Sequence, residues 1–213
     1  MINVLIKEED FLYHHSLRSF ISDFFKNEYA KNVNFLKGYV PENIARAEII
    51  VYAFSKGEHH TCFPELKSAR KCVIIGITEA EEPSSSFLPF CIQQTYFVSR
   101  SAPLYLLKRV FRQAWVAYSA SAIPVFLKAC ESCKHKTLSQ RELNIMAGLY
   151  KGESVKNIAR EMMLTPKTIY AHKYAVMHKF NLSSEHELLE LLNRLLEKRC
   201  NPNLFREALE QFR

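Results

Sequence analysis

Leu164–Phe180 reads LTPKTIYAHKYAVMHKF, the pattern of a capped helix with two unlike faces. Thr165 supplies a hydroxyl where the first unpaired backbone N–H groups need an acceptor, and Pro166 suits the first helical position, where a missing N–H costs nothing. At about 100° per residue, Ile169, Val176 and Phe180 fall within roughly 40° of one another and form an apolar seam that has to pack on a neighbouring helix. The opposite arc carries Lys167, Tyr170, Ala171, Tyr174 and His178. It offers hydrogen-bonding groups, a cation and one side chain small enough for close backbone approach.

Immediately upstream, Ser154–Met163 (SVKNIAREMM) is a second short helical pattern with Ile158, Ala159, Met162 and Met163 apolar. Only Leu164 and the Thr165 cap separate the two patterns. So tight a connection makes a helix-turn-helix, whose second helix enters the major groove of DNA. The polar arc is therefore expected to meet double-stranded DNA. Leu138–Tyr150 opens with Ser139 and Glu142 in capping-box spacing and stops before Gly152, which suits the left-handed position after a helix. Ser184 and Glu187 repeat the capping-box spacing ahead of Leu188, Leu191, Leu192 and Leu195.

These four capped helices resemble the LuxR/NarL-type DNA-binding domain. Leu138, Arg141-Glu142, Gly152, Ile158-Ala159, Thr165, Lys167-Thr168-Ile169, His172 and Lys179-Phe180 each match its pattern. The resemblance covers nearly all of the C-terminal third. It adds Thr165, Thr168 and Lys179 to the residues expected at DNA, alongside Lys167, Tyr170, Ala171, Tyr174, His178 and the flanking Lys173. The chain departs from the pattern at Asn157, where the family usually has Glu. Tyr170 and Tyr174 also stand where relatives often carry Lys or another polar residue that contacts bases, so the family's operator sequence does not carry over.

The 213 residues suit two domains of about 120 and 70 residues. A hydrophobic content of 48% with 12% aromatics can fill two cores, which argues against disorder. The net charge is +7, and Lys151–Phe180 alone holds six basic residues against two acidic ones, so an excess of four lies in one short stretch. Its location, more than its size, points to a polyanionic partner. No apolar run approaches the roughly 18 residues needed to cross a membrane, and Glu8, Glu9 and Asp10 come too early for a signal peptide. Six scattered cysteines suit reduced thiols, so a cytoplasmic location is expected.

In the N-terminal part, Asn3–Ile6, Asn34–Leu36, Glu48–Phe54 (EIIVYAF), Lys71–Thr78 (KCVIIGIT) and Thr95–Ser99 read as strands. The two longest are near-continuous apolar runs, as parallel strands buried on both faces require. Helical patterns follow at Leu12–Phe25, near Pro41 and at Leu104–Tyr118, and the alternation implies a doubly wound α/β domain. In order and spacing this part resembles the receiver domain of response regulators. The resemblance puts Glu8 and Glu9 on the acidic metal-binding pair and Thr78 on the receiver's hydroxyl position. It puts Ala53 where the phosphoacceptor aspartate stands and Ser99 where the lysine stands. Without a carboxylate at Ala53 there is neither a nucleophile for phosphoryl transfer nor a full Mg²⁺ ligand set. No Asp follows Asp23, so that absence holds in any register.

The fold class expected is therefore α/β plus all-α. A receiver-like domain spans residues 1–120, a linker with a short helix 121–136, a four-helix LuxR-type helix-turn-helix domain 137–199 and a tail 200–213. Cys130-Glu131-Ser132-Cys133 lacks a second pair at zinc spacing and reads as incidental linker thiols. Glu8, Glu9 and Asp10 read as solvated strand-end acids, and His14-His15 and His59-His60 as surface pairs. Glu79–Pro89 reads as an exposed loop. No cofactor, metal or catalytic residue is expected, since no nucleophile, base and orienting group occur together. The expected function is a phosphorylation-independent regulator that binds promoter DNA as a dimer. RNA polymerase is a further candidate partner. The rivals are an auxiliary regulator that pairs with another response regulator, and a sensor of a small molecule. For the second, Tyr96–Arg100 (YFVSR) partly matches a motif by which some relatives bind cyclic di-GMP, but it lacks the Trp and precedes the long helix.

Overall fold

The computed structural model describes residues 1–69, 71–79, 88–120, 133, 135–198 and 202–211. The chain forms two compact units, Met1–Phe54 with Phe63–Lys134, and Ser55–Cys62 with His135–Arg213. The expected linker helix at Ile123–Cys130, most of the Glu79–Pro89 loop and Cys200 lie outside the described residues. Among the described residues no helix is long and apolar enough to cross a membrane.

In the first unit, β1 (Ile2–Lys7), α1 (Phe11–Tyr29), β2 (Val33–Leu36), α2 (Pro41–Arg46), β3 (Ile49–Ala53), β4 (Val73–Thr78), β5 (Tyr96–Ser99) and α3 (Leu104–Ser119) follow in order. The five strands pair in parallel in the order β2-β1-β3-β4-β5. The order doubles back between β1 and β3, and this architecture places its sites at the carboxyl ends of strands beside such a reversal. Side chains alternate between two cores as the strand period of two demands. Val4, Ile49, Val51, Ile75, Ile77 and Val98 face α1 and α3, while Leu5, Ile50, Tyr52, Ile74 and Phe97 face the other side. On the first face Phe24, Phe25, Phe111 and Trp115 pack edge to face, with ring centroids 5.1 to 5.9 Å apart. On the second face Ile44 of α2 is joined by Phe63, Leu66 and Ile92 from 3₁₀ turns. Among the described residues the β3–β4 connection contains 3₁₀ turns, so this face is covered by shorter pieces than a regular doubly wound domain uses.

The second unit holds α4 (Gln140–Tyr150), α5 (Val155–Glu161), α6 (Pro166–Lys179), α7 (Glu185–Glu197) and α8 (Leu204–Gln211). Its core draws Leu143 and Met146 from α4, Ile158 from α5, Ile169 and Val176 from α6, and Leu191 and Leu192 from α7. The tail contributes more than a loose turn: Phe205 and Ala208 of α8 are buried in this core, so four helices become five. Ser55–Cys62 packs here too. Glu58 is fully buried and lies 3.8 Å from Arg194, whose Nε donates to Ser55 Oγ at 2.9 Å. Lys56 pairs with Glu187 at 3.0 Å, and Lys198 donates to Thr61 Oγ1 and to the Cys62 carbonyl. The expectation of a surface pair at His59-His60 is corrected. His60 is buried, its ring lies 4.2 Å from that of His59, and its carbonyl accepts from the Lys136 backbone at 2.8 Å.

Candidate nucleic-acid interface

Each helix of the helix-turn-helix begins on a local cap. Ser154 accepts from the Asn157 N–H, and Thr165 accepts from the Thr168 N–H at 3.2 Å with Pro166 in the first turn. Asn157 is too short to close a capping box and instead donates to Glu153 at 3.2 Å. Between the helices Met163 adopts a left-handed conformation with φ 54°, and the Leu164 N–H reaches back to the Ala159 carbonyl at 2.8 Å. That backward bond is the Schellman closure, which turns the chain sharply into α6. At the start of α4, Ser139 and Glu142 form the full reciprocal box, and Gly152 takes the left-handed position with φ 79°. Ser184 accepts from the Glu187 N–H, and the Glu187 carboxylate accepts from the Ser183 N–H and Lys56.

On α6 the seam Ile169, Val176 and Phe180 is buried to 1% exposure or less, and this fixes which arc is left outside. Lys167, Ala171 and His178 are exposed there, with Tyr170 at 44% and Tyr174 at 57%. Lys156 and Arg160 of α5 are exposed as well. Thr165 and Thr168 lie at the helix entrance with their hydroxyls 2.9 Å apart.

Two of the lysines expected at DNA hold carboxylate partners within the unit. Lys173 is only 6% exposed, and its Nζ donates to Glu185 Oε1 at 2.6 Å while lying 5.2 and 5.1 Å from the ring centroids of Tyr170 and Tyr174. Lys179 donates to both oxygens of Glu142, at 2.8 and 2.7 Å, and to the Thr137 carbonyl. Burial would raise the Glu142 carboxyl, but the hydrogen bonds from Lys179 and Ser139 outweigh it and hold the group below its ordinary value of 4.5. Both ammonium groups are thus tied to carboxylates of the same unit, which lowers their net charge towards an approaching phosphate.

The strand-end positions of the first unit also come together. Lys7 pairs with Tyr52, Ala53 with Ile77 and Thr78 with Ser99, so residues 8, 53, 78 and 99 sit at the carboxyl ends of four adjacent strands. Glu9 is exposed and pairs with Lys7 at 3.2 Å, and Asp10 caps α1 by accepting from Tyr13. Glu8 departs from the expected solvated acid. Its side chain is 3% exposed and its Oε2 accepts from Arg100 at 2.7 Å. Arg100 also pairs with Glu79 at 2.7 Å and lies over the Tyr13 ring at 4.2 Å. The donor set does not fit a divalent cation, because Ala53 brings no side-chain oxygen and the buried carboxylate already holds a guanidinium. Among the described residues no group of three or more His, Cys, Asp or Glu side chains is placed to hold a metal ion. Arg100 was not singled out in the sequence, although a basic residue one place beyond the lysine position was the available sign. Glu185 carried no sign at all, since nothing local links it to Lys173.

With this geometry in hand, comparison with known proteins is decisive for the helical unit. Residues 136–192 match the model of the bacterial regulatory proteins of the luxR family. These residues form a luxR-type helix-turn-helix domain. The luxR-type domain is 45% identical over 64 residues to the oxygen regulatory protein NreC of Staphylococcus epidermidis, a stretch covering 29% of this chain and 29% of that protein. It is 38% identical over 55 residues to the response regulator UvrY of Escherichia coli K12, covering 26% of this chain and 25% of that protein. The match therefore spans under a third of these relatives. A solved structure described as the two-component response regulator RcsB in complex with DNA is similar over 90% of this chain and 98% of its own, with a TM-score of 0.50. At 18% identity the likeness is one of fold, a parallel α/β unit ahead of the luxR-type domain.

Proposed function

We propose that this chain is a non-enzymatic bacterial transcription regulator that binds promoter DNA through α6 and works without phosphorylation of its N-terminal unit. The observation that carries the reading is the arc of Lys167, Tyr170, Ala171, Tyr174 and His178, left exposed on a luxR-type helix whose opposite seam is buried. Such a helix reads base edges in the major groove while neighbouring cations hold the phosphates. The relatives support it: RcsB is described in complex with DNA, and also as two dimers bound to two parallel DNAs. One recognition helix covers only a few base pairs, so a dimer on two half-sites is the economical way to reach operator specificity. The second part of the reading rests on Ala53 and Ser99, which supply neither a phosphate acceptor nor a cation to pair with it, and on Glu8, which Arg100 already engages.

A nuclease footprint of the purified protein on genomic fragments, alone and with candidate partner regulators, tests this. The expected result is protection by the protein alone over two half-sites about one helical turn apart. Protection that needs a second regulator would replace the homodimer by a heterodimer, and no protection under either condition would remove the DNA-binding reading.

A further inference from the structure

We propose that Lys173, anchored by Glu185 against the rings of Tyr170 and Tyr174, is a positioning residue that sets the two tyrosines as one base-reading unit and takes no phosphate itself. The inference rests on the DNA-binding reading above and adds which residue governs its specificity. Lys173 lies about 40° around the helix from Ile169, beside the buried seam and at the border of the exposed arc, and is 6% exposed. A lysine buried this far needs compensation for its lost water. It has three partners: the Glu185 carboxylate at 2.6 Å, and two aromatic faces at 5.2 and 5.1 Å from the ammonium. The two rings are near parallel, 21° apart with centroids 6.5 Å apart. One cation thus lies over two rings that also stack on each other.

Glu185 sits in the first turn of α7, where the helix dipole favours a carboxylate, so the anchor point is itself fixed by the fold. The consequence for DNA follows from charge and order together. The lysine charge is matched by Glu185, so no phosphate counterion is released on its account. The tyrosines arrive already oriented, which removes the cost of ordering them on binding. Their hydroxyls and ring edges can then discriminate base edges and thymine methyl groups.

The experiment uses the full chain and the footprinted duplex with a set of single-base variants, each titrated at several salt concentrations. Lys173→Met keeps the aliphatic stem and removes the charge. Combined with Glu185→Gln, so that the pair's net charge stays at zero, its salt slope should equal that of the wild type, while discrimination at the positions read by the tyrosines falls about tenfold, the size of one good base contact. In a Tyr170→Ala, Tyr174→Ala background the same change should add nothing, since the lysine acts through those rings. Lys173→Arg, which keeps a cation over the rings and within reach of Glu185, should restore the wild-type ranking. If Lys173→Met does not fold, Glu185→Gln on the exposed carboxylate replaces it and should also reduce discrimination. The proposal is overturned if Lys173→Met in the Glu185→Gln background weakens all duplexes in parallel and lowers the salt slope by about one, the mark of a phosphate contact. It is equally overturned if neither Lys173→Met nor Glu185→Gln alters the ranking. A wild-type protein that binds all duplexes alike would overturn the DNA-reading role itself, a result separable from either of these.

Discussion

Lys167 and Lys173 stand six residues apart on one helix, and their surroundings separate them. Lys167 is exposed in the first turn of α6, where its charge adds to the positive end of the helix dipole and faces an incoming phosphate. Lys167→Ala is therefore expected to weaken binding to every duplex and lower the salt slope by about one, read from titrations at several salt concentrations. An unchanged slope would take Lys167 off the backbone. The same contrast shows what a sequence can reveal at this scale. Thr165 as a cap, Pro166 in the first turn and Ile169, Val176 and Phe180 as the buried seam depend only on neighbours along one helix, and all were legible. The pairs Lys173 with Glu185, Lys179 with Glu142 and Glu8 with Arg100 join residues 12, 37 and 92 positions apart, and no local rule points to them.

Among the elements, β3 and β4 were legible because burial on both faces demands unbroken apolar runs, and EIIVYAF and KCVIIGIT supply them. The segment Ser55–Cys62 was not legible. It has no periodicity, and its place in the second unit depends on Arg194 and Lys198, far along the chain. Gly57 shows how tightly it fits. With φ at 79°, a Cβ added there would stand 2.7 Å from the Phe180 carbonyl and 3.0 Å from Leu182. Gly57→Ala combines left-handed strain with a backbone clash, so a loss of about 2–4 kcal/mol is expected from chemical denaturation of the second unit. A loss under about 0.5 kcal/mol would mean that the segment is not held as described.

The histidines of this segment give it a pH signature. Burial pushes both His59 and His60 from 6.5 down to about 4, helped by the Lys136 charge at each and by His59 at His60. The unfolded chain therefore binds protons between pH 6.5 and 4 that the fold excludes. Stability falls as pH drops through that window and is level above it. The denaturation midpoint of a His59→Asn, His60→Asn variant should lose much of this dependence. An acid limb as steep as that of the wild type would place its origin in other groups.

For the molecule as a whole, the proposed function has the parallel α/β unit acting without phosphorylation. The resemblance to a receiver put Glu8 and Glu9, Ala53, Thr78 and Ser99 at that domain's site positions; Ala53, Thr78 and Ser99 each end a strand and Glu8 follows one. It could not show that Arg100 holds the Glu8 carboxylate, which is a property of the assembled sheet edge. Acyl and phosphoramidate phosphodonors transfer phosphate to a carboxylate nucleophile, and Ala53 has none to offer. The most direct measurement is intact mass and DNA affinity of the purified full chain, before and after incubation with a small phosphodonor and Mg²⁺. The account predicts no change in mass, oligomeric state or affinity; one acid-labile phosphate on the N-terminal unit, accompanied by tighter binding to the operator, would contradict it.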